Sequence, residues 1–402
     1  MSKNNTPRQP HTRRVRKRKL RKRVFFILVP LLVFVAAFSY ATYLYIKADS
    51  VFSESYVDDG RKKSDLRDKE VDPDFDNVSI LIMGIDESEK RNNAKDARTD
   101  SMMVATLNKD DKSVKLLSIP RDSYVYIPEV GYETKINHAH KFGGPKAAME
   151  TTENLLHIPI DYYVTINFEA FLEVVDAIDG VEVDVPYEMK EQDSKDKADA
   201  IHLKPGKQTL NGEEALAFAR TRHYDNDIER GKRQQEILKA VMSKSASLKS
   251  VLKFDNIIEA VGKNMKTNMT FSEMKSFISY GTSGKKLSID TNSLAGEDWW
   301  TYNSAGSRVY YFKLDDLKLE ETRKELQKHL EINPDTSKFN DGPQTNDGTE
   351  DGTDNGQGEN GQDPNNSQDQ NQYDGQDQNQ YNDQNQNDGQ YDDGSQTDDG
   401  QY

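Results

Sequence analysis

Apolar residues fall into three regimes along this chain. From Val24 to Ile46 there is no charged residue. At about 1.5 Å per helical residue, such a stretch covers the ~30 Å hydrocarbon core of a bilayer with some tilt. Pro30 inside it is tolerated by membrane helices, and Tyr40, Tyr43 and Tyr45 gather at its C-terminal end as an interfacial belt does. From about residue 76 to 335, short apolar runs alternate with helical spacing. Val78–Ile85 (VSILIMGI) predicts a buried strand. Met102–Leu107 and Ser113–Ile119 flank a polar Asn108–Lys112 and predict a hairpin. Pro145–Leu156 and Phe168–Ile178 have helical spacing, the second ended by Asp179-Gly180. Tyr162–Ile166, Val181–Val185 and Arg308–Leu314 read as strands. Asn211 is an N-cap for a helix over 212–220, with Glu213 and Glu214 in its first turn. A long helix is expected over about 229–250, and others over 256–263, 271–280 and 316–329. After residue 340 the only large apolar groups are the spaced Tyr373, Tyr381, Tyr391 and Tyr402.

Alternating strands and helices predict an α/β layered domain, and the early hairpin makes its sheet mixed. The organisation read from this pattern is a head over 1–23, a span over 24–46, a polar stalk over 47–75, the functional domain over 76–335, and a tail over 336–402. The tail is built almost wholly of Asp, Asn, Gln and Gly with those tyrosines. It has too little apolar surface to offset ordering entropy and is expected to be disordered.

Charge sharpens this picture. The chain has 402 residues and a net charge of -15. Its head holds eleven Lys or Arg and no acid, while residues 340–402 hold sixteen Asp or Glu and no base. The remaining 43 basic and 53 acidic residues leave a mildly acidic body. A basic head flush against a span stays cytoplasmic by the positive-inside rule and can touch anionic lipid; it is expected to bind no nucleic acid. The apolar stretch is too long for a cleaved signal peptide, and no small-x-small site follows it. The expectation is a single-pass membrane protein with its body outside the membrane. Cysteine is absent, which excludes disulfides, thiolate metal sites and cysteine nucleophiles.

Two constellations carry candidate chemistry. Asp86 follows the first predicted strand and Asp100 opens the next. Open α/β sheets gather sites beyond the carboxyl ends of strands, and two carboxylates suit Mg²⁺, although turn-capping aspartates would look the same. The second is arginine usage. The body prefers Lys to Arg by 32 to 11, yet Arg98, Arg121, Arg220, Arg222, Arg230 and Arg233 cluster at segment ends. Arginine forks bind phosphate bidentately, which Lys cannot do; surface ion pairs are the alternative. There is no G-x-x-x-x-G-K-[ST], G-x-S-x-G or H-E-x-x-H. Gly143-Gly144-Pro145 reads as a helix-initiating turn. Trp299-Trp300 is either a sugar-stacking pair or a partly buried surface cluster.

Six ordered motifs then become meaningful together: VSILIMGID (Val78–Asp86), Arg98-Thr99-Asp100-Ser101, Ser118-Ile119-Pro120-Arg121-Asp122, Lys135-Ile136-Asn137-His138-Ala139, LNGEEALAFARTR (Leu210–Arg222) and ERGKRQQ (Glu229–Gln235). With a basic head and one span ahead of them, they resemble the LytR-CpsA-Psr family over roughly 77–239. That resemblance implies a three-layer α/β/α sandwich with a central mixed sheet and an apolar cleft for a polyprenyl chain. It implies an enzyme that moves a glycopolymer, such as wall teichoic acid or capsular polysaccharide, from an undecaprenyl-pyrophosphate carrier to peptidoglycan through a phosphodiester. Mg²⁺ or Mn²⁺ would sit on Asp86 and Asp100. Arg98, Arg121, Arg220, Arg222 and Arg230 would bind the pyrophosphate, with Lys135, Arg233 and Gln234 matching substrate-binding positions more loosely. Hydrolysis of the pyrophosphate and a non-catalytic envelope scaffold are the competing readings. A scaffold would need none of these aspartates and arginines.

Overall fold

The structure is a computed structural model that describes residues 22–85, 99–195, 197–221, 227–245, 258, 262, 264–282, 287–302, 306–333 and 339. Residues 1–21 of the head, the tail beyond 339 and most of the helix expected over 256–263 lie outside these residues. The described chain opens on α1 (Lys22–Ser55), long and apolar enough to cross a membrane. The elements that follow are β1 (Val78–Ile85), β2 (Thr99–Asn108), β3 (Ser113–Ile119), β4 (Tyr124–Ile127), β5 (Tyr132–Lys135), α2 (His138–Leu156), β6 (Tyr162–Ile166), α3 (Phe168–Ala177), β7 (Val181–Val185), β8 (Met189–Glu191), β9 (Ile201–Leu203), β10 (Gly206–Leu210), α4 (Gly212–Arg220), α5 (Asp227–Ser245), β11 (Met265–Thr267), α6 (Phe271–Thr282), β12 (Ser288–Ser293), β13 (Gly296–Tyr302), β14 (Arg308–Leu314) and α7 (Asp316–Leu330).

Six strands form the central sheet in the order β11-β6-β1-β2-β3-β12. β2 runs antiparallel to β1 and β3, whereas β6 pairs with β1 and β12 with β3 in parallel, so the sheet is mixed as expected. β1 is apolar on both pleat faces, as a strand covered on both sides must be. Leu81 and Met83, with Met102, Val104, Leu117 and Ile119 beside them in register, pack against α2 and α7. On the opposite face Ala105, Leu107, Val114 and Leu116 are buried. Ile80, Ile82, Val164 and Ile289 there are only half-buried, beneath Leu238 and Met242 of α5 and Met274 and Phe277 of α6. Helices thus cover both faces of the sheet, giving the three-layer α/β/α sandwich. A third cluster, built on Val175, Val181, Val183, Leu210 and Phe218, joins α3, α4 and the β7–β10 ribbon.

Local chemistry explains several boundaries. Asn211 and Glu214 form a capping box that starts α4. Pro145 does begin a regular helix, but one further turn, His138–Phe142, precedes it, and the two are merged across a kink. Gly144 sits there at φ 67°, a conformation in which a side chain is strained. β12 (SIDTNS) is a polar edge strand without apolar alternation, which is why the pattern did not announce it.

The segment expected as a stalk is docked along the domain. Tyr56 bridges to Thr267, and Val57 N donates to Thr267 O at 2.8 Å. Arg61 pairs with Glu153 at 3.0 Å and also donates to Ile160 O. Burial pushes the Glu153 carboxyl up, and the Arg61 guanidinium opposes that rise. Arg67 grips both carboxylate oxygens of Asp161 at 3.0 and 2.7 Å, and Asp161 in turn accepts from Ser79 N.

Two outcomes follow. Arg67→Ala leaves the 2%-exposed Asp161 side chain without its counter-charge and should cost about 3 kcal/mol, read as a lowered thermal midpoint of the full chain in detergent. His329 is buried between Thr106 Oγ1 at 2.8 Å and Ser113 Oγ at 2.9 Å. Burial, then the nearby Lys115 ammonium, hold its imidazole below the ordinary 6.5. On acidification the unfolded chain takes up this proton first, so stability should fall as pH drops below about 6.5, and His329→Gln should flatten that part of the midpoint-versus-pH curve.

Candidate active site

The site gathers at the end of the sheet where β1 and β3 finish and β2 begins. Ile85, the last described residue of β1, pairs with Thr99 across a bulge, and Asp100 follows. Arg121 leaves β3 one residue after Pro120, and its Nη1 donates to Asp100 Oδ1 at 2.7 Å. Arg121 Nε lies 3.4 Å from Asp122 Oδ2, and Asp122 Oδ1 takes the Lys135 ammonium at 2.8 Å. The four side chains make a relay of alternating charge, Asp100–Arg121–Asp122–Lys135. The backbone sets this order. β4 and β5 place Lys135 opposite Tyr124, Ile136 N donates to Ser123 O at 2.9 Å, and Asn137 N donates to Arg121 O at 3.2 Å. Two motifs that looked separate in sequence are one hydrogen-bonded loop pair.

α5 supplies the other wall. It crosses the sheet at Gly231, where a Cβ would stand 2.5 Å from Ser118 Oγ. Gln235 Nε2 donates to Leu116 O at 3.1 Å on the same face. This close seat sets the height of its neighbours. Arg230 is buried, and its Nη2 reaches the Asp100 carbonyl at 3.5 Å. Gln234 accepts from Ser101 Oγ at 2.8 Å and donates to Ala219 O at 3.3 Å, tying β2 to the end of α4.

Arg233 is placed against the end of α4. Its Nε donates to Phe218 O at 2.9 Å, its Nη2 to Thr221 O at 2.6 Å and its Nη1 to the Tyr187 hydroxyl at 3.2 Å. The guanidinium is committed to holding the C-terminus of α4, so it positions that end. Arg220 is carried on that end with its guanidinium 4.7 Å over the ring of Phe168. Phe168 lies far away in sequence and offered no signal of this role. Asp86, Arg98 and Arg222 lie outside the described residues.

Few oxygen atoms that could meet a divalent cation gather at this site among the described residues. Among the described residues no three Asp, Glu or His side chains converge into a cage. The Asp100 side chain is 37% exposed, and its second oxygen accepts no hydrogen bond among the described residues. The Thr99 and Thr221 hydroxyls are buried without a partner there. One open carboxylate is what Mg²⁺ uses when water and ligand phosphate supply the remaining oxygens. A cavity of about 500 Å³ lies between α5 and β12, lined among others by Lys232, Gln235 and Asn292, and none of the charged relay lines it.

Comparison with known proteins adds to this geometry. The LytR_cpsA_psr family model matches residues 40–328. The polyisoprenyl-teichoic acid–peptidoglycan teichoic acid transferase TagT of Bacillus subtilis (strain 168) is 42% identical over 325 residues, covering 80% of this chain and 98% of its own. A solved structure of TagT bound to LIIa-WTA superposes with a TM-score of 0.58 at 39% identity, covering 67% of this chain and 97% of that one. Another, TagT with bound octaprenyl pyrophosphate lipid, gives 0.54 at 38% identity, covering 68% and 98%.

The α5 seat is directly testable. Gly231→Ala should push the helix off Ser118, lower the thermal midpoint and loosen Arg230 and Gln234; adding Ser118→Ala removes the hydroxyl in the way and should recover part of the loss.

Proposed function

The chain belongs to the LytR-CpsA-Psr family, and from that premise we propose that it is a membrane-anchored transferase that moves a teichoic-acid-type or other envelope glycopolymer from undecaprenyl pyrophosphate to peptidoglycan. α1 is the candidate anchor, with the basic head on the cytoplasmic side and the domain outside. One observation carries the reading: a node of arginines and one open carboxylate stands at the end of a sheet face on which Ile80, Ile82, Val164 and Ile289 are only half-buried.

In the proposed reaction an acceptor hydroxyl attacks the phosphorus that bears the sugar. A new O–P bond forms, the bridging P–O bond of the pyrophosphate breaks, and its electron pair leaves on polyprenyl monophosphate. The hydroxyl proton passes to solvent. Such transfer asks a protein mainly for positioning and for charge on phosphate oxygens. Arg121, aligned by Asp100 and Asp122, supplies a rigid fork. Arg230 adds a second guanidinium, and Arg220, Arg98 and Arg222 are proposed to complete the set. Lys135 and Gln234 fix the loops that hold it. Asp100, with Asp86, is proposed to hold Mg²⁺ or Mn²⁺, whose chemistry there would be to neutralise developing charge on phosphate oxygens. The prenyl chain is proposed to enter between the sheet and α5–α6, against Ile80, Ile82, Val164, Leu238, Met242 and Phe277.

The test uses full-length protein in detergent with a lipid-pyrophosphate-linked saccharide, Mg²⁺ and peptidoglycan oligomers. Saccharide should appear on the glycan. Arg121→Ala should lower that rate about 10²- to 10³-fold, and Arg121→Lys should not restore it, because an ammonium cannot reproduce the fork. Lipid monophosphate released equally with and without acceptor would replace the transferase by a hydrolase.

A further inference from the structure

The β13–β14 hairpin carries exposed aromatic side chains that the reaction proposed above leaves unused. Its two faces differ. On one, Trp299 packs edge-on against Tyr124 at 5.1 Å and lies 5.7 Å from Tyr311, forming a half-buried support. On the other, Trp300 is 51% and Tyr302 71% exposed. Trp300 meets Tyr310 at 5.1 Å, and the Arg308 guanidinium lies 4.3 Å over its ring. Aromatic groups beside an arginine are the composition of recognition surfaces.

This surface is continuous with the reacting centre. Phe312 N donates to Asp122 O at 2.9 Å, and Ser123 bridges to Phe312. The Lys135 ammonium that pairs with Asp122 lies 5.7 Å from the Tyr310 ring and 5.8 Å from that of Tyr311. Tyr310 is two residues along β14 from Phe312, about 7 Å at strand rise. A ligand lying on Trp300 and Tyr310 would therefore reach the relay within a short span.

Charge selects the occupant. Glu297 and Asp298 balance Arg308 and Lys313 on the hairpin, so the platform has no excess of positive charge to favour a phosphate-rich polymer. Uncharged pyranose rings stack on aromatic faces, and Asp298, already accepting from the Tyr310 hydroxyl at 2.8 Å, is placed among groups that sugar hydroxyls and N-acetyl amides can bond.

We propose that the outer face of the β13–β14 hairpin, Trp300 with Tyr302, Tyr310 and Arg308, is the stacking platform for the uncharged acceptor glycan strand. This rests on the transferase reading for its role, though the binding it predicts is separable from transfer. Full-length protein in detergent contains two tryptophans, so Trp300 emission can be followed during titration with an N-acetylated β-linked aminosugar oligomer. The expected result is a saturable shift that Trp300→Phe abolishes. In the transfer assay Trp300→Ala, a change at a half-exposed position, should raise the acceptor KM about tenfold and leave kcat and lipid-pyrophosphate affinity unchanged. Saturable binding without any transfer would sink the transferase reading and keep the platform. An unchanged acceptor KM, an equal loss of lipid-linked donor affinity, or a self-associated form that Trp300→Ala dissociates would each overturn the platform, the last two by assigning the face to the donor saccharide or to a second copy.

Discussion

The crossing of α5 over the sheet is set by what is missing at Gly231. With no Cβ between helix backbone and the Ser118 hydroxyl, α5 settles low enough for Gln235 to reach the Leu116 carbonyl and for Gln234 to reach Ser101. Everything at the site inherits that height. Arg230 comes level with the Asp100 carbonyl, and Arg233 grips the last turn of α4, bringing the Arg220 end into place. The same helix roofs the half-covered apolar face through Leu238 and Met242. One small residue therefore links the arginine-bearing end of the sheet to an apolar interior.

Charge at the site is arranged before any ligand arrives. Arg121 is flanked by two carboxylates, so its guanidinium is oriented without being neutralised by a deeply buried bidentate partner. The Asp100 side chain remains 37% exposed and Arg121 23%. Partial burial keeps the desolvation cost of these ions low while raising their effect above that of fully hydrated charges. Preorganised dipoles and charges of this kind need no rearrangement when negative charge develops. Lys135 serves at one remove by steadying Asp122.

Much of this was legible along the chain because the physics was local. β1 declared itself by being apolar at both parities, and α4 by Asn211 followed three residues later by Glu214. The arginine bias marked Arg121 and Arg230 because Lys is otherwise preferred. What stayed hidden depended on distant partners. Arg233 looks like any other arginine of its motif until Phe218 O and Thr221 O are brought to it. β12 is polar because it pairs only at the sheet edge, so hydropathy could not find it. The polar run over 47–75 read as a stalk, and only the fold brings Glu153 and Asp161 to Arg61 and Arg67.

The docked chain after α1 limits how the domain can move relative to that helix. α1 does not end in slack chain: Ser55 donates to Gly262 O at 2.7 Å, Phe52 stacks on Phe271 at 5.6 Å, and the chain beyond is pinned by two partly buried ion pairs. With the candidate anchor α1 in a bilayer, a domain held this way would lose most of its freedom to tumble. Its encounters with the lipid-borne ligand proposed above would become a two-dimensional search, where effective concentration is set by membrane area instead of solution volume. A long leash would sweep a larger territory but would present its site correctly only rarely.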